Sequence, residues 1–336
     1  MFLSQSLIEK NQIQADRTLD VSAVIPIYNE VDSIPTLIEK IAQILTQSQY
    51  TYEIICVDDG STDGSRELLK QIAPQRSDLK AILLRRNYGQ TPAMAAGFNH
   101  ARGQIIVSLD ADLQNDPEDI PRAIEKLAEG YDLVSGWRKN RQDAKLTRLL
   151  PSKIANWLIA KVTGVKIHDY GCSLKAYRAE LLADLHLYGE LHRFLPALAY
   201  IEGAKIAEIP VRHHPRRHGT SKYGLDRTFR VLMDLLTVWF MKKFLTRPMH
   251  VFGSLGLLSL ISGFILGSYL TFLKLGMGEN IGDRPLLILV AILIVTGLQL
   301  FCFGLIGELL IRTYHESADR PIYRIREIIS ANVKNN

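Results

Sequence analysis

Short apolar runs closed by polar residues recur along the first 140 positions, at 21–28, 53–56, 81–84, 104–109 and 133–136. They show no strict apolar–polar alternation, which points to strands buried on both faces, as in a parallel sheet. The stretches between them have helical spacing. One covers 34–45, a second opens at about Ser65, and a third holds Ala93, Ala95, Ala96 and Gly97, small residues suited to close packing. Strands alternating with helices predict a parallel α/β sheet. After about residue 145 the rhythm changes, to an amphipathic helix over 146–162 and further strands at 170–177 and 205–211.

The C-terminal third is different. Residues 251–273 and 285–307 are almost entirely apolar, and each run is long enough to cross a bilayer. Two such runs in succession argue against buried helices of a soluble core. Lys242, Lys243 and Arg247 precede the first run, Arg312, Arg320, Arg324 and Arg326 follow the second, and the loop over 276–284 is nearly neutral. The positive-inside rule then predicts a two-span protein of the inner membrane with both termini cytoplasmic. The start, Met1-Phe2-Leu3-Ser4-Gln5-Ser6, turns polar at once, so no signal peptide is expected. Residues 224–247 are apolar but interrupted by Asp226, Arg227, Arg230 and Asp234, which suits helices lying in the membrane interface. The expected parts are a lead-in (1–20), an α/β domain (21–223), the interfacial segment (224–247), a two-helix anchor (248–311) and a cytoplasmic tail (312–336). The tail is expected to return to the α/β domain or to pack on a neighbouring subunit. Gly297, Gly304 and Gly307 share a face of the second span. Small residues let helices associate in lipid, so a homo-oligomer such as a tetramer is expected.

Net charge is +5 and the pI is about 9.0. The excess bases gather at the membrane flanks and in 138–153 and 212–222, without the aromatic interleaving of a single-strand binder. Anionic lipid and phosphate ligands account for them better than nucleic acid does. Cys56, Cys172 and Cys302 fit no zinc or disulfide spacing, in keeping with a reducing compartment.

Two of the strand-like runs end in acids. Val57-Asp58-Asp59-Gly60-Ser61-Thr62-Asp63-Gly64 closes the second, and Asp110-Ala111-Asp112-Leu113-Gln114 closes the fourth. Open α/β sheets bind ligands at the carboxyl ends of their strands. Two carboxylates flanking one residue in a turn both reach a hard divalent cation, and Mg²⁺ is commonly held by one or two carboxylates plus substrate phosphates. The same stretch also suits helix capping, with Asp112 or Asn115 before Pro117-Glu118-Asp119. His213, His214 and His218 lack the cysteine or acid that would complete a zinc site.

With Ile25-Pro26-Ile27-Tyr28-Asn29-Glu30 and Gly219-Thr220-Ser221-Lys222-Tyr223, these motifs resemble the inverting glycosyltransferases of family 2. The likeness is greatest to polyprenyl-phosphate glycosyltransferases, relatives of dolichol-phosphate mannose synthase. The two spans followed by Gly307-Glu308 and Arg320-Pro321-Ile322-Tyr323 match the bacterial two-span subgroup.

The resemblance implies a GT-A fold and transfer of a sugar, glucose from UDP-glucose by analogy, to polyprenyl phosphate. It implies that Pro26, Tyr28, Glu30 and Asp59 line the nucleotide, and that Asp110, Asp112 and Gln114 hold Mg²⁺ or Mn²⁺ with the diphosphate. Glu190, in Glu190-Leu191-His192-Arg193-Phe194, would line the donor sugar. Arg138, Arg148, Ser152, Arg216, Ser221 and Lys222 would hold the acceptor phosphate. Asp169 would act as a base or hold sugar hydroxyls, or else be a buried hydrogen-bonded acid. The alternatives are another donor (GDP-mannose or a UDP-aminosugar), a processive polysaccharide synthase, and a non-catalytic sugar-nucleotide sensor. The chain lacks the Gln-x-x-Arg-Trp element of the synthases, and it keeps both acids that a sensor could dispense with.

Overall fold

The computed structural model describes residues 17–139, 159–160, 163–185, 191–215, 252–282, 285–317 and 322–331. Most of the predicted helix over 146–162 lies outside them. So do the interfacial segment and Arg148, Ser152, Glu190, Arg216, Ser221 and Lys222. The chain divides into two units, Met1–Trp239 with Pro321–Asn336, and Phe240–Arg320.

The first unit is built on eight strands: β1 (Leu19–Ile27), β2 (Tyr52–Asp58), β3 (Leu79–Leu84), β4 (Gly103–Ser108), β5 (Leu133–Trp137), β6 (Lys175–Arg178), β7 (Ile206–Pro210) and β8 (Ile325–Ser330). Their order across the sheet is β7-β5-β6-β4-β1-β2-β3-β8. The central strands are parallel, as the buried runs predict. The sheet as a whole is mixed, because β6 runs antiparallel to both β4 and β5, and β8 runs antiparallel to β3. Residues 170–177, expected as one strand, give β6 only from Lys175, after a turn. The tail returns to the sheet and covers the outer edge of β3.

Among the described residues six helices belong to this unit: α1 (Ile34–Gln47), α2 (Ser65–Ile72), α3 (Gln90–Asn99), α4 (Ile120–Ala128), α5 (Ala179–Asp184) and α6 (Leu195–Ile201). Val21, Ala23, Ile25 and Ile27 of β1 share one core with Leu37 and Ile41 of α1 and Ile124 of α4. Helix α3 covers the opposite face, where Val24 and Val57 point. A Cβ on Gly97 would stand 2.2 Å from Val24 Cγ1 and 3.3 Å from Val57 Cγ2. That approach is why α3 is built of small residues.

Pro26 sets where the cleft opens. Val24 and Pro26 face β4, and the Val24 carbonyl accepts the Leu109 N–H at 3.3 Å. Proline has no N–H to continue the ladder. The β1–β4 ladder therefore ends at Leu109, and the chain turns out of the sheet at Asp110, level with Pro26.

The second unit is a helical hairpin, α7 (Ser254–Gly276) and α8 (Pro285–Ser317). Ser254–Gly276 and Pro285–Gly307 are each 23 residues long, with mean hydropathies of 1.8 and 2.8, and only 17% and 11% of their most apolar windows are buried. Outward leucines, isoleucines and phenylalanines suit hydrocarbon, whereas a soluble core helix would bury them. A Cβ on Gly256 would meet the Gly297 carbonyl at 2.7 Å, and one on Gly297 would meet the Gly256 carbonyl at 2.9 Å. Gly297, expected at a contact between subunits, is thus used inside one chain. The Ser259 hydroxyl donates to the Leu293 carbonyl at 2.8 Å beside it.

Gly97→Ala forces a methyl group onto Val24, and overpacking of this kind costs about 1–3 kcal/mol. The detergent-solubilised protein should unfold at a lower temperature, and adding Val24→Ala should recover part of the loss. An unchanged midpoint would mean that α3 can shift.

Candidate active site

The loops after β1 and β2 hold each other. The Asn29 N–H donates to Ser61 Oγ (3.0 Å), and Thr62 N–H donates to Asn29 Oδ1 (2.8 Å). Glu30 N–H donates to Ser65 Oγ (3.0 Å), and Val31 N–H to Asp63 Oδ2 (3.0 Å). Asn29 itself adopts φ 57°, a left-handed conformation that asparagine tolerates better than most residues. The adjacent acids have different tasks. Asp58 receives Arg66 Nε at 2.7 Å, and Arg66 also reaches the Leu84 carbonyl at 2.7 Å. Asp59 accepts the N–H groups of Tyr88 at 2.7 Å and Gly89 at 2.8 Å, one on each oxygen. Gly60 (φ 76°) lies so close to this third loop that a Cβ would stand 2.5 Å from Asn87 N. Burial pushes the Asp59 carboxyl up to about 6, with the Asp58 charge adding to the rise and the two amides opposing it. Asp59, expected at the base or ribose, thus spends an acceptor position on each oxygen clamping a loop. Pro26 lines the cleft, and Tyr28 stands partly exposed beyond it.

Asp110, Asp112 and Gln114 all line one open cleft of about 700 Å³. Gln90, the first residue of α3, donates through Nε2 to Asp110 Oδ1 at 2.6 Å. Ser173 Oγ accepts the Asp110 N–H at 3.2 Å and Asn115 Nδ2 at 2.6 Å. Asp112 Oδ1 accepts the Gln114 N–H at 3.1 Å, and Leu113 between them takes φ 58°. The capping role expected of Asp112 or Asn115 falls instead to Asp116. Its side chain accepts the Glu118 N–H at 3.1 Å and pairs with His214 Nε2 at 2.9 Å. That partner and the nearby Arg212 hold the Asp116 carboxyl below its ordinary range, outweighing the burial that would raise it.

The facing wall comes from β5, β6 and the loop between them. Arg138 and Asp169, given separate roles by the sequence, form one fork-to-fork pair, with Nε to Oδ2 at 2.7 Å and Nη2 to Oδ1 at 2.9 Å. Asp169 is buried, and the Gly171 N–H adds a bond of 3.1 Å. The buried-acid alternative therefore describes its state in this structure. Trp137 stacks on His168 next to it, with ring centroids 4.3 Å apart. Lys175, His192 and Arg193 complete the wall. His192 Nδ1 lies 2.7 Å from Thr91 Oγ1, and burial pushes its pKa well below the ordinary histidine value. Burial also lowers that of Lys175.

No group of three His, Cys, Asp or Glu side chains forms a metal cage among the described residues. Two carboxylates and an amide on one wall are hard oxygen donors, and Gln90 already orients one of them. That set fits an ion whose remaining ligands come from a diphosphate.

Residues 22–185 match the family model described as Glycosyl transferase family 2. The chain is 44% identical over 317 residues to dodecaprenyl-phosphate galacturonate synthase of Rhizobium johnstonii, covering 93% of this chain and 94% of that one. The chain belongs to glycosyltransferase family 2. It is an enzyme of that family, with a GT-A fold. It is also 41% identical to undecaprenyl-phosphate 4-deoxy-4-formamido-L-arabinose transferase of Photorhabdus laumondii, covering 94% of this chain and 96% of that one. Among solved structures it is similar to glucosyl-3-phosphoglycerate synthase from Mycobacterium tuberculosis in complex with phosphoglyceric acid. The identity there is 18% and the TM-score 0.51, over 69% of this chain and 83% of that one, a likeness of fold alone.

Sequence reasoning passed over Gln90, Ser173 and Lys175. A lysine within the apolar run Leu174-Lys175-Ala176-Tyr177 was the available signal.

The Asp59 carboxyl has a direct consequence for stability. Its folded pKa of about 6 lies above the ordinary value of 3.8, so the native state binds its proton more tightly than the unfolded state does. Its contribution is fully present below about pH 4 and is lost as the pH rises through about 6. The stability difference, wild type minus Asp59→Asn, should therefore fall between pH 4 and 7. A flat difference would remove the assignment.

Proposed function

We propose that the enzyme transfers a sugar from a UDP-sugar to polyprenyl phosphate, with inversion and with a divalent metal ion, at the cytoplasmic face of the membrane. The observation that carries this reading is the pair Asp110 and Asp112 at the carboxyl end of β4, in a cleft shared with Gln114 and faced by basic side chains. Relatives named as polyprenyl-phosphate transferases match nearly the whole chain, apolar hairpin included, which supports the lipid acceptor.

Asp110, Asp112 and Gln114 would hold Mg²⁺ or Mn²⁺, which when bound neutralises the departing diphosphate. An acceptor phosphate oxygen attacks C1 of the sugar as the bond from C1 to the diphosphate oxygen breaks, leaving UDP. A phosphate monoester with a second pKa of about 6 is already a nucleophile at neutral pH. No strong base is needed, in keeping with Asp169 tied to Arg138. The acceptor phosphate is assigned to Arg138 together with Arg148, Ser152, Arg216, Ser221 and Lys222. Glu190 and Arg193 are assigned to the sugar.

Glucose, the sugar expected by analogy, is in neither relative's name. A uronic acid is the better candidate. The relative at 44% identity is named for galacturonate, and Lys175 and Arg193 in the cleft wall suit a sugar carboxylate. Purified protein offered UDP-galacturonate, UDP-glucose, a UDP-formamido-pentose and GDP-mannose with polyprenyl phosphate should label the lipid best from UDP-galacturonate. No lipid product from any donor would sink the reading. Asp110→Asn and Asp112→Asn should each lower transfer a hundredfold or more, as expected if a metal ion contributes about 3 kcal/mol to the transition state. Near-normal turnover by either variant at low metal would remove the cluster assignment.

The proposed orientation follows from the basic flanks and the neutral loop between the spans. An impermeant thiol reagent added outside the cell should label Gly278→Cys and leave a cysteine near residue 330 unlabelled. The reverse pattern would invert the topology.

A further inference from the structure

Lys175 is a buried lysine that makes no direct ion pair among the described residues, although Asp169 and Asp110 act on it from a distance. It is 4% exposed, yet it lines the cleft that holds Asp110 and Asp112. Its ammonium donates to two backbone carbonyls, those of Cys172 and, at 3.4 Å, Tyr170. Carbonyl dipoles satisfy N–H groups but do not neutralise a charge. No carboxylate forms an ion pair with Lys175 among the described residues. Asp169 is already forked with Arg138, and Asp110 is engaged by Gln90. Ser135, opposite Lys175 in the β5–β6 ladder, is buried with a hydroxyl that has no hydrogen-bond partner. A buried charge left unpaired beside an unsatisfied hydroxyl is a cost that a protein carries when a ligand repays it.

We propose that Lys175 is the donor-binding cation of this cleft, and that its ammonium takes an anionic oxygen of the nucleotide sugar. Two groups of a UDP-uronic acid carry such oxygens, the diphosphate and the sugar carboxylate. The proposal rests on the functional reading above and gives Lys175 a defined, separately testable part in it. A purely structural Lys175 would only staple the loop that carries Asp169 and Ser173.

The test is donor binding by the full-length protein with Mn²⁺, measured calorimetrically with UDP, UDP-glucose and UDP-galacturonate, alongside thermal midpoints without ligand. Lys175→Gln keeps an N–H for the loop carbonyls and removes the charge. It should weaken donor binding roughly tenfold or more, as expected for a hydrogen bond to a charged group, while the ligand-free midpoint does not fall. Equal losses for all three ligands identify the diphosphate as the partner, and a loss confined to UDP-galacturonate identifies the carboxylate. Unchanged affinities together with a lower midpoint would overturn the proposal in favour of the staple. Should Lys175→Gln fail to fold, acylation of Lys175 in the wild type decides. The donor must protect it, and equal labelling with and without donor overturns the role. A wild type that binds none of the three ligands sinks the functional reading itself, whereas binding that ignores Lys175 sinks only this proposal.

Discussion

The grip of Asp59 on the amides of Tyr88 and Gly89 is the contact on which the cleft depends. It joins the end of β2 to the turn that begins α3. The next residue, Gln90, holds Asp110, and Thr91 after it meets His192. One carboxylate therefore fixes the start of a helix whose first two side chains reach opposite walls of the site. Gly60 and Gly97 are demanded by the same geometry, the first where the loops touch and the second where α3 lies on β1 and β2. Burying an ionised carboxylate is unfavourable, and the raised pKa of Asp59 records that cost. The protein accepts it to hold the site in one arrangement before substrate arrives.

Charge is distributed unequally across the cleft. The wall at the end of β4 presents Asp110 and Asp112, two acids that repel each other and any diphosphate. The facing wall presents Arg138 and Lys175 from β5 and β6 and Arg193 from the turn before α6, and Arg138 is already neutralised by Asp169. Removing Arg138 would strand Asp169 as a buried charge, a loss of about 3–5 kcal/mol. Arg138 thus supports the wall as well as any ligand. The proposed donor, a diphosphate with its metal ion and a second negative group, would satisfy both sides at once.

Much of this was legible locally. The buried runs placed β1 to β5 within a few residues, because apolar strands between polar turns leave a clear signature. The two acidic loops were recognisable because their chemistry lies within a few consecutive residues. Strand direction was not legible, since β6 carries the same side-chain pattern whether it runs with β4 or against it. Nor were pairings across long separations, such as Arg138 with Asp169, Ser173 with Asp110, or Asn99 with Tyr323. Each of these residues reads as an ordinary polar position until the sheet brings its partner near. Gly297 showed the opposite failure. Its small size was read correctly as a close helix contact, but the partner is Gly256 in the same chain.

Strand β8 returns the chain to the sheet after the apolar hairpin. Its residues pair antiparallel with β3, with a register shift between Leu83 and Leu84, and Tyr323 just before it takes a hydrogen bond of 3.0 Å from Asn99 of α3. Everything from β1 to β7 precedes the hairpin in the chain, and β8 follows it, yet all eight strands share one sheet. A chain that leaves a sheet, crosses a bilayer and rejoins the same sheet must cross an even number of times. Two apolar helices with a tight glycine seam meet that requirement with the fewest spans, and the basic flanks on both sides of the hairpin satisfy the same rule independently. This is the physical ground for the two-span arrangement proposed above.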